Sequence, residues 1–236
     1  MIIILLFLIL ILVSGLFYWL FMSPYSQIFG KFVWKVKTDK KQIALTFDDG
    51  PNEPYTSELL DFLKDNNVRA TFFIVGENAL KYPDLVKRIN KEGHLIGNHS
   101  LSHKYRNYFI QPNFSKETIK SQEILVDITG KKPTYQRSPW LFRSPLIFRT
   151  LKNNGLTPIS GEFCHPLEVF GANPKTISTG AIKKAKPGAI IIFHDGNGSM
   201  GGDRSNSIEA SKIFIKNLLN QGYEFLTVDE LLAKNN

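Results

Sequence analysis

The sequence predicts an α/β fold with a mainly parallel sheet, preceded by a long apolar segment at the N-terminus. Short β-prone apolar runs alternate with longer stretches of helical periodicity about seven times along the chain. This alternation is typical of strand–helix units that build a parallel sheet. The β-prone runs lie at residues 42–47, 70–75, 94–96, 133–136, 156–160, 189–193 and 224–226.

The stretches between these runs are predicted to be helices, and several end at a residue that commonly terminates a helix. Gly and Asn adopt the left-handed backbone conformation at low cost, so they are favoured directly after a helix. The predicted helices lie at residues 55–66, 83–92, 116–129, 145–154, 174–184 and 207–221. The predicted terminating residues are Asn67, Gly93, Gly130, Gly155 and Gly222.

Residues 1–22 carry no charged side chain and consist almost wholly of Ile, Leu, Phe and Val. About 20 apolar residues cross a bilayer as a helix, and the basic start and cleavage site of a secretory signal are not evident here. Tyr18 and Trp19 suit a membrane interface. We therefore predict a single-pass transmembrane anchor at 1–22 and a linker at 23–40. An atypical signal sequence and a buried core helix are the alternatives.

Composition excludes several other classes of protein. The 236 residues, 43% hydrophobic and 21% charged, suffice for one core and an anchor and argue against disorder. Cys164 is the only cysteine, which excludes an intrachain disulfide and a multi-cysteine metal site. The net charge is +8, but the lysines are scattered and no recognition motif accompanies them, so we expect no nucleic-acid partner. No protein partner is inferred.

Polar residues with catalytic chemistry follow four of the predicted strands. In a parallel α/β fold the carboxyl ends of the strands meet on one rim, which is where such folds carry their chemistry. Two acids, two imidazoles, a guanidinium and a further imidazole should therefore lie close together. They are Asp48 and Asp49, His99 and His103, Arg137, and His194.

The two histidines four residues apart can share one face of a helical turn and chelate a metal. A carboxylate added to them gives the three-ligand set expected of a catalytic zinc site. No Glu stands beside His99, so the general base must come from elsewhere, and Asp48, next to a metal-binding Asp49, is the candidate. Each motif also has an ordinary reading: a turn for the acids, a surface pair for the histidines, a surface arginine for Arg137 and a structural role for His194.

Taken together, the motifs resemble those of the polysaccharide deacetylase family, the NodB homology domain of carbohydrate esterase family 4. The matching stretches are Thr-Phe-Asp-Asp-Gly-Pro at 46–51, His-Ser-Leu-Ser-His at 99–103, Arg-Ser-Pro-Trp at 137–140 and Ile-Phe-His at 192–194. The closing stretch at 204–232 is similar as well. The resemblance covers about residues 40–232, and it assigns residues 41–233 to a deacetylase domain.

The resemblance implies a distorted (β/α) barrel with fewer than eight strands. It also implies that Asp49, His99 and His103 hold a divalent metal, with Zn²⁺ favoured by ligand type and Co²⁺ or another first-row ion as alternatives. The catalytic residues implied are the base Asp48, the arginine Arg137 that positions this base, and the general acid His194. The backbone N–H of Trp140 would bind the developing oxyanion.

The sequence departs from the family pattern between the third and last motifs. The family usually places an Asp, followed by Asp-Trp, in this region, and one of these acids orients the catalytic histidine. This chain has Ile-Ser-Gly-Glu-Phe-Cys-His-Pro-Leu-Glu at 159–168. Glu162 is the candidate replacement, with an ordinary loop glutamate as the alternative. His165 is expected in the cleft or in a turn, and Cys164 as a small buried side chain.

These observations predict a hydrolase that removes N-acetyl groups from an amino-sugar polymer such as peptidoglycan. That substrate places the domain outside the cytoplasm at the cell membrane. Lys31, Lys35 and Lys37 follow the apolar segment, however, and the positive-inside rule alone predicts the opposite orientation. A deacylase of a lipid-linked amino sugar and a non-catalytic glycan-binding domain are the alternative functions.

Overall fold

The computed structural model describes residues 1–109, 113–198 and 201–234. It shows an α/β fold with a curved, parallel β-sheet surrounded by helices. Seven strands follow one path in the order β5-β4-β3-β2-β1-β7-β6, and β8 pairs with β1 off this path. The strands are β1 (Gln42–Asp48), β2 (Thr71–Ile74), β3 (Leu95–Asn98), β4 (Tyr135–Gln136), β5 (Thr157–Pro158), β6 (Glu162–Phe163), β7 (Ile190–His194) and β8 (Glu224–Leu226).

Strands β5 and β6 are the two ends of this path, so the seven-strand curve stays open as a partial barrel. The predicted distorted barrel with fewer than eight strands is confirmed. The prediction missed β6, and it made β4 and β5 longer than the two residues each that pair in the sheet. Strands this short owe their conformation to their neighbours rather than to local propensity.

The helices begin and end close to the predicted positions. Those described are α1 (Ile2–Phe21), α2 (Tyr55–Asp65), α3 (Gly76–Lys81), α4 (Pro83–Lys91), α5 (Arg106–Phe109), α6 (Phe114–Thr129), α7 (Pro145–Asn153), α8 (Pro174–Lys184), α9 (Ser205–Asn220) and α10 (Val228–Ala233). All five predicted terminating residues have positive φ angles, between 52° and 82°. The short helices α3, α5 and α10 were not predicted, because their periodicity spans fewer than two turns.

The alternation of side chains along β1 separates the core from the site. Ile43, Leu45 and Phe47 point toward the helices and join the main hydrophobic cluster, where the Phe47 ring lies 5.3 Å from that of Phe72. Successive side chains of a strand point to opposite faces, so Thr46 and Asp48 face the interior of the curved sheet. The β1 strand therefore supplies both a packed outer face and a polar inner one.

Helix α1 is apolar along its whole length, and residues 2–19 lie exposed on it. Its 20 residues make it long enough, and their side chains make it apolar enough, to cross a membrane. Residues 23–40, predicted as a linker, lie against the barrel instead of spanning free solvent. Phe32 and Val36 are buried, and single β-bridges join Val33 to Ile159 and Lys35 to Ala189.

Candidate active site

The ends of β1 and β7 bring the first acid and the last histidine of the sequence motifs side by side. Asp48 and His194 are paired positions on these neighbouring parallel strands. Two glycines let the strand ends approach, because a Cβ on Gly196 would lie 2.1 Å from the Asp49 carbonyl oxygen. A Cβ on Gly50 would lie 2.2 Å from the Asp195 carboxylate. The glycine after Asp48-Asp49 and the glycine after His194-Asp195 are thus packing requirements.

Asp48 and Asp49 both line one cavity although they are adjacent in sequence. In a continuing strand they would face opposite sides of the sheet. The backbone of Asp49 is left-handed, with φ at 73°, so the chain turns at the strand end and the second carboxylate also reaches the interior. Asn78 fixes this turn by donating a 2.7 Å hydrogen bond from its side-chain amide to the Asp49 carbonyl.

Asp49, His99 and His103 present a compact set of candidate metal ligands. One oxygen of Asp49 lies 3.2 Å from Nε2 of His99 and 3.2 Å from Nε2 of His103. One ligand atom from each of the three residues lies within 4.8 Å of the other two. Around a tetrahedral zinc, ligand atoms are separated by about 3.4 Å, given bonds of about 2.1 Å. The three side chains therefore fit a single small metal ion.

The polar environment of these ligands suits a cation as well. Nδ1 of His99 lies 2.7 Å from the Arg137 carbonyl oxygen, which can only accept a hydrogen bond. Nδ1 of His99 must then carry the proton, and Nε2 keeps a lone pair directed toward Asp49. The Asp49 oxygen shared by the two imidazoles is buried, and none of the residues that the structure describes donates a hydrogen bond to it. A buried carboxylate oxygen without a donor is expected where a metal binds.

The pKa shifts of Asp49 and His103 favour the protonation states in which these side chains bind a metal. Burial alone would raise the pKa of Asp49, but the imidazoles of His103 and His99 more than offset this and hold it well below its usual range. Burial lowers the pKa of His103. The Asp49 carboxylate is therefore anionic and burial disfavours the charged form of His103, which are the protonation tendencies that metal ligands require.

The two histidines are positioned by a loop, so the predicted helical turn is wrong. Ser100 and His103 have left-handed φ angles of 72° and 52°, which a helix would not allow. The loop is held by local side-chain hydrogen bonds: the Ser100 N–H donates to Asn98, and the His103 N–H donates to the Ser100 hydroxyl. Four-residue spacing brings the rings together here because the loop folds back on itself.

Arg137 contacts the base candidate directly. Its Nη1 donates to the Asp48 carboxylate over 2.6 Å and to the Thr46 hydroxyl over 2.7 Å, and its Nη2 donates to the Ser160 carbonyl. Burial lowers the pKa of Arg137, and the Asp48 charge opposes this. Because the guanidinium is fully buried and held at three points, it fixes the direction of the Asp48 carboxylate.

His194 is oriented by Glu168, and the assignment of this role to Glu162 is wrong. Glu168 Oε2 lies 2.6 Å from Nδ1 of His194, and its Oε1 accepts from the His194 N–H and the Ser207 hydroxyl. Burial would lower the pKa of His194, but the Glu168 carboxylate raises it to about 9. His194 is therefore protonated at neutral pH, as a general acid requires.

The position of Glu162 on the sheet explains the error. Glu162 pairs with Ile191 of the neighbouring strand, three residues before His194. Three residues of strand span about 10 Å, so its carboxylate lies too far from the strand end. Burial raises the pKa of the Tyr25 hydroxyl, and the nearby Glu162 carboxylate raises this pKa further. The loop after β6 returns to the rim in a short 3-10 turn, Glu168–Phe170, which puts Glu168 beside His194.

The remaining predicted residues fall on or near the same cavity. Trp140 lies in a short 3-10 turn with a left-handed φ of 54°, and its ring packs 4.5 Å from that of His103. His165 lines the cavity. Cys164 is buried in the main hydrophobic cluster, where burial raises the pKa of its thiol well above the usual value.

The cavity is about 750 Å³ in volume, a size typical of small-molecule sites. We call it the active-site cavity. The base candidate, the ligand set and the histidine with its orienting acid all line this cavity. Its lining includes Asp48, Asp49, His99, His103, Trp140, Phe163, His165, Glu168, Val169, Phe170, His194 and Arg204, together with Tyr18, Met22, Pro24 and Tyr25 from the N-terminal segment.

Comparison with known proteins identifies the family. Residues 35–159 match the polysaccharide deacetylase family profile. The chain belongs to the polysaccharide deacetylase family. This polysaccharide deacetylase is 38% identical over 213 residues to a peptidoglycan-N-acetylglucosamine deacetylase of Bacillus cereus, with 86% of this chain and 93% of that protein covered.

Solved structures agree with this membership. The polysaccharide deacetylase superposes on a peptidoglycan N-acetylglucosamine deacetylase bound to 4-naphthalen-1-yl-N-oxidanyl-benzamide with a TM-score of 0.76 and 31% identity, covering 85% and 92% of the two chains. It superposes on the peptidoglycan deacetylase PdaC of Bacillus subtilis with a TM-score of 0.71 and 32% identity, covering 84% and 93%. The polysaccharide deacetylase is accordingly a hydrolase of amide bonds.

Proposed function

We propose that this chain is a metal-dependent deacetylase that removes N-acetyl groups from the amino sugars of peptidoglycan or of another N-acetylglucosamine-containing surface glycan. The observation that carries the proposal is the convergence of a held base, a three-residue ligand set and a protonated imidazole on one cavity. The names of the similar B. cereus and B. subtilis proteins support peptidoglycan as the substrate class.

The ligand set is Asp49, His99 and His103, and Zn²⁺ is the ion we favour because two imidazoles and one carboxylate would leave one position open on a tetrahedral metal. Co²⁺ or another first-row ion suits the same ligands. When bound, the metal would polarise the acetyl carbonyl and make the attacking water more acidic.

The protein side chains supply the proton transfers. Asp48 accepts the proton of the attacking water, and Arg137 holds its carboxylate in place with a 2.6 Å hydrogen bond. His194, protonated through its contact with Glu168, donates a proton to the leaving nitrogen as the C–N bond breaks. The products are acetate and a free amine. The backbone N–H of Trp140 is assigned to the oxygen that gains negative charge.

We further propose that residues 1–22 remain attached as a single-pass membrane anchor, with the deacetylase domain outside the cytoplasm. Helix α1 has the length and hydropathy for this role. The lysines that follow it favour the opposite orientation. We give the proposed substrate more weight than the orientation favoured by the lysines, because an active site in the cytoplasm would not contact a surface glycan.

Acetate release from a panel of N-acetylated glycans, with and without a chelator, tests the proposal. We expect release from at least one N-acetylglucosamine-containing glycan, its loss with chelator and its return on adding Zn²⁺. An Asp48→Asn protein prepared in parallel controls for contaminating enzyme. Equal release by this variant, or release that no chelator reduces, would contradict the proposed mechanism.

A further inference from the structure

The N-terminal helix forms part of the wall of the active-site cavity. Tyr18 and Met22, from the end of α1, and Pro24 and Tyr25, which follow it, line the same space as the catalytic groups. If the anchor were joined to the domain by a flexible linker, only residues of the catalytic domain would line the cavity. Here, residues at the end of the proposed membrane segment line it as well.

This junction is tied to the barrel by buried contacts. The Phe21 carbonyl accepts from the Arg143 N–H over 2.9 Å, and the Phe21 ring stacks on Phe142 at 6.0 Å. The Arg143 guanidinium, fully buried, donates to the Ser26 carbonyl over 2.5 Å. The Ser160 hydroxyl donates to the Pro24 carbonyl. The end of α1 is therefore fixed relative to the cavity.

The length of α1 sets where the membrane surface lies. A helix of 20 residues is about 30 Å long, which equals the hydrocarbon thickness of a bilayer. Its last turn must then lie at the interface. Tyr18, Trp19 and Tyr25, each about half exposed, and Trp34, which contacts Tyr25, form the aromatic group expected at that depth. Two of these, Tyr18 and Tyr25, line the cavity.

Another part of the cavity wall carries exposed apolar side chains. Leu167, Val169 and Phe170, which we call the apolar lip, are 53%, 45% and 80% exposed. They flank Glu168, which points inward to His194. Val169 and Phe170 line the cavity together with Tyr18 and Tyr25. A large exposed apolar group at a cavity mouth marks a surface that meets an apolar partner.

We propose that the active-site cavity opens at the membrane surface and that its substrate is an N-acetylated amino sugar carried by a membrane lipid. The lipid chain would contact the apolar lip and the end of α1 while the sugar enters the cavity. The inference rests on the proposed deacetylase function and on the proposed anchor, and it narrows the substrate to the amino sugars of the surface glycan while a membrane lipid still carries them. A lipid-borne sugar reaches this cavity by lateral diffusion, whereas a long wall strand would have to pass between the barrel and the bilayer.

Acetate release by the full-length chain in phosphatidylcholine vesicles tests this. The probes are dodecyl N-acetyl-β-glucosaminide held in the vesicles, and two soluble compounds, methyl N-acetyl-β-glucosaminide and tetra-N-acetylchitotetraose. Sharing a vesicle raises the rate on the dodecyl probe for any anchored enzyme, so the decisive variant is Phe170→Ser. We expect it to lower the ratio of the dodecyl rate to the tetramer rate about tenfold, the effect of losing one buried Phe contact.

Leu80→Ser is the matched control, because Leu80 is 61% exposed and does not line the cavity. We expect it to keep the wild-type ratio. No acetate from any probe would contradict the proposed function itself. A ratio of the dodecyl rate to the tetramer rate that Phe170→Ser does not change would overturn only the lipid-linked substrate.

A second measurement does not depend on activity. The chain has three tryptophans, so a Trp19→Phe, Trp34→Phe protein retains only Trp140 beside His103. Lipids brominated near the headgroup should quench Trp140 fluorescence in vesicles if the cavity lies at the bilayer surface. Fluorescence equal to that in unbrominated vesicles would place the cavity away from the membrane and overturn the inference.

Discussion

Glu168 and His194 form a 2.6 Å hydrogen bond between a carboxylate oxygen and Nδ1, although 26 residues separate them. The same carboxylate accepts a hydrogen bond from the Ser207 hydroxyl and from the His194 backbone N–H. With Nδ1 bound to Glu168, Nε2 is the nitrogen left to deliver a proton. One carboxylate therefore sets both the orientation and the charge of the proposed general acid.

Glu168→Gln should move the alkaline limb of the pH–rate profile to lower pH. The Glu168 charge raises the pKa of His194 to about 9, against burial, which lowers it. A general acid acts in its protonated form, so activity falls as pH rises through this pKa. Removing this charge leaves only Asp49 and Asp48 to oppose the effect of burial. We therefore expect a shift of at least about one pH unit in kcat/KM, equal to about 1.4 kcal/mol.

Glu162→Gln is the matched control for this profile, because Glu162 lies three residues short of the strand end. Its alkaline limb should coincide with that of the wild type. An unshifted limb in Glu168→Gln, or the larger shift in Glu162→Gln, would show that Glu168 does not set the protonation of the acid.

His103→Ala should remove both the bound metal and the activity while leaving the fold intact. The side chain lies in a loop at the rim, 3.2 Å from Asp49, and supplies one of three ligands. Metal content after dialysis, activity and circular dichroism are the measurements. His165→Ala is the control, since His165 lines the cavity but lies outside the ligand set. Stoichiometric zinc in folded His103→Ala would refute the ligand assignment.

Asp48→Asn should lose nearly all turnover and keep its metal. The amide is nearly isosteric but does not accept a proton, and general-base catalysis contributes about 10²–10⁴-fold. The neighbouring Asp49 keeps its own contacts with the two imidazoles, so metal content should match the wild type. Metal analysis beside steady-state kinetics separates the two effects. Full activity in this variant would move the base to another residue.

External protease should digest the domain from residue 29 onward on intact cells or protoplasts. The proposed topology places this part of the chain outside the cytoplasm, with residues 1–22 left in the membrane. Immunoblotting for a C-terminal tag follows the loss, and a cytoplasmic protein serves as the integrity control. Complete protection until the membrane is lysed would reverse the orientation and agree with the lysines that follow α1.

Most of the architecture was predictable because the patterns that encode it are local. Alternating β-prone runs and helical stretches predicted the longer helices and seven of the eight strands found in the described part of the chain. The terminating residues from Asn67 to Gly222 have the expected left-handed backbone. The polar motifs at four strand ends predicted a shared rim. Because β1 and β7 are neighbouring strands, Asp48 and His194 are paired at this rim, although their motifs lie far apart in the sequence.

The sequence by itself determined the fold class, the family and the chemical types gathered at the rim, because residue identity and strand-end position carry that information. Only the tertiary structure decided that Glu168 rather than Glu162 meets His194, since the loop after β6 has no periodicity to read and its return depends on packing against α9. It also decided that the anchor shares the cavity wall. That contact depends on Arg143 reaching Ser26 across 117 residues of chain, a distance over which local pattern carries no signal.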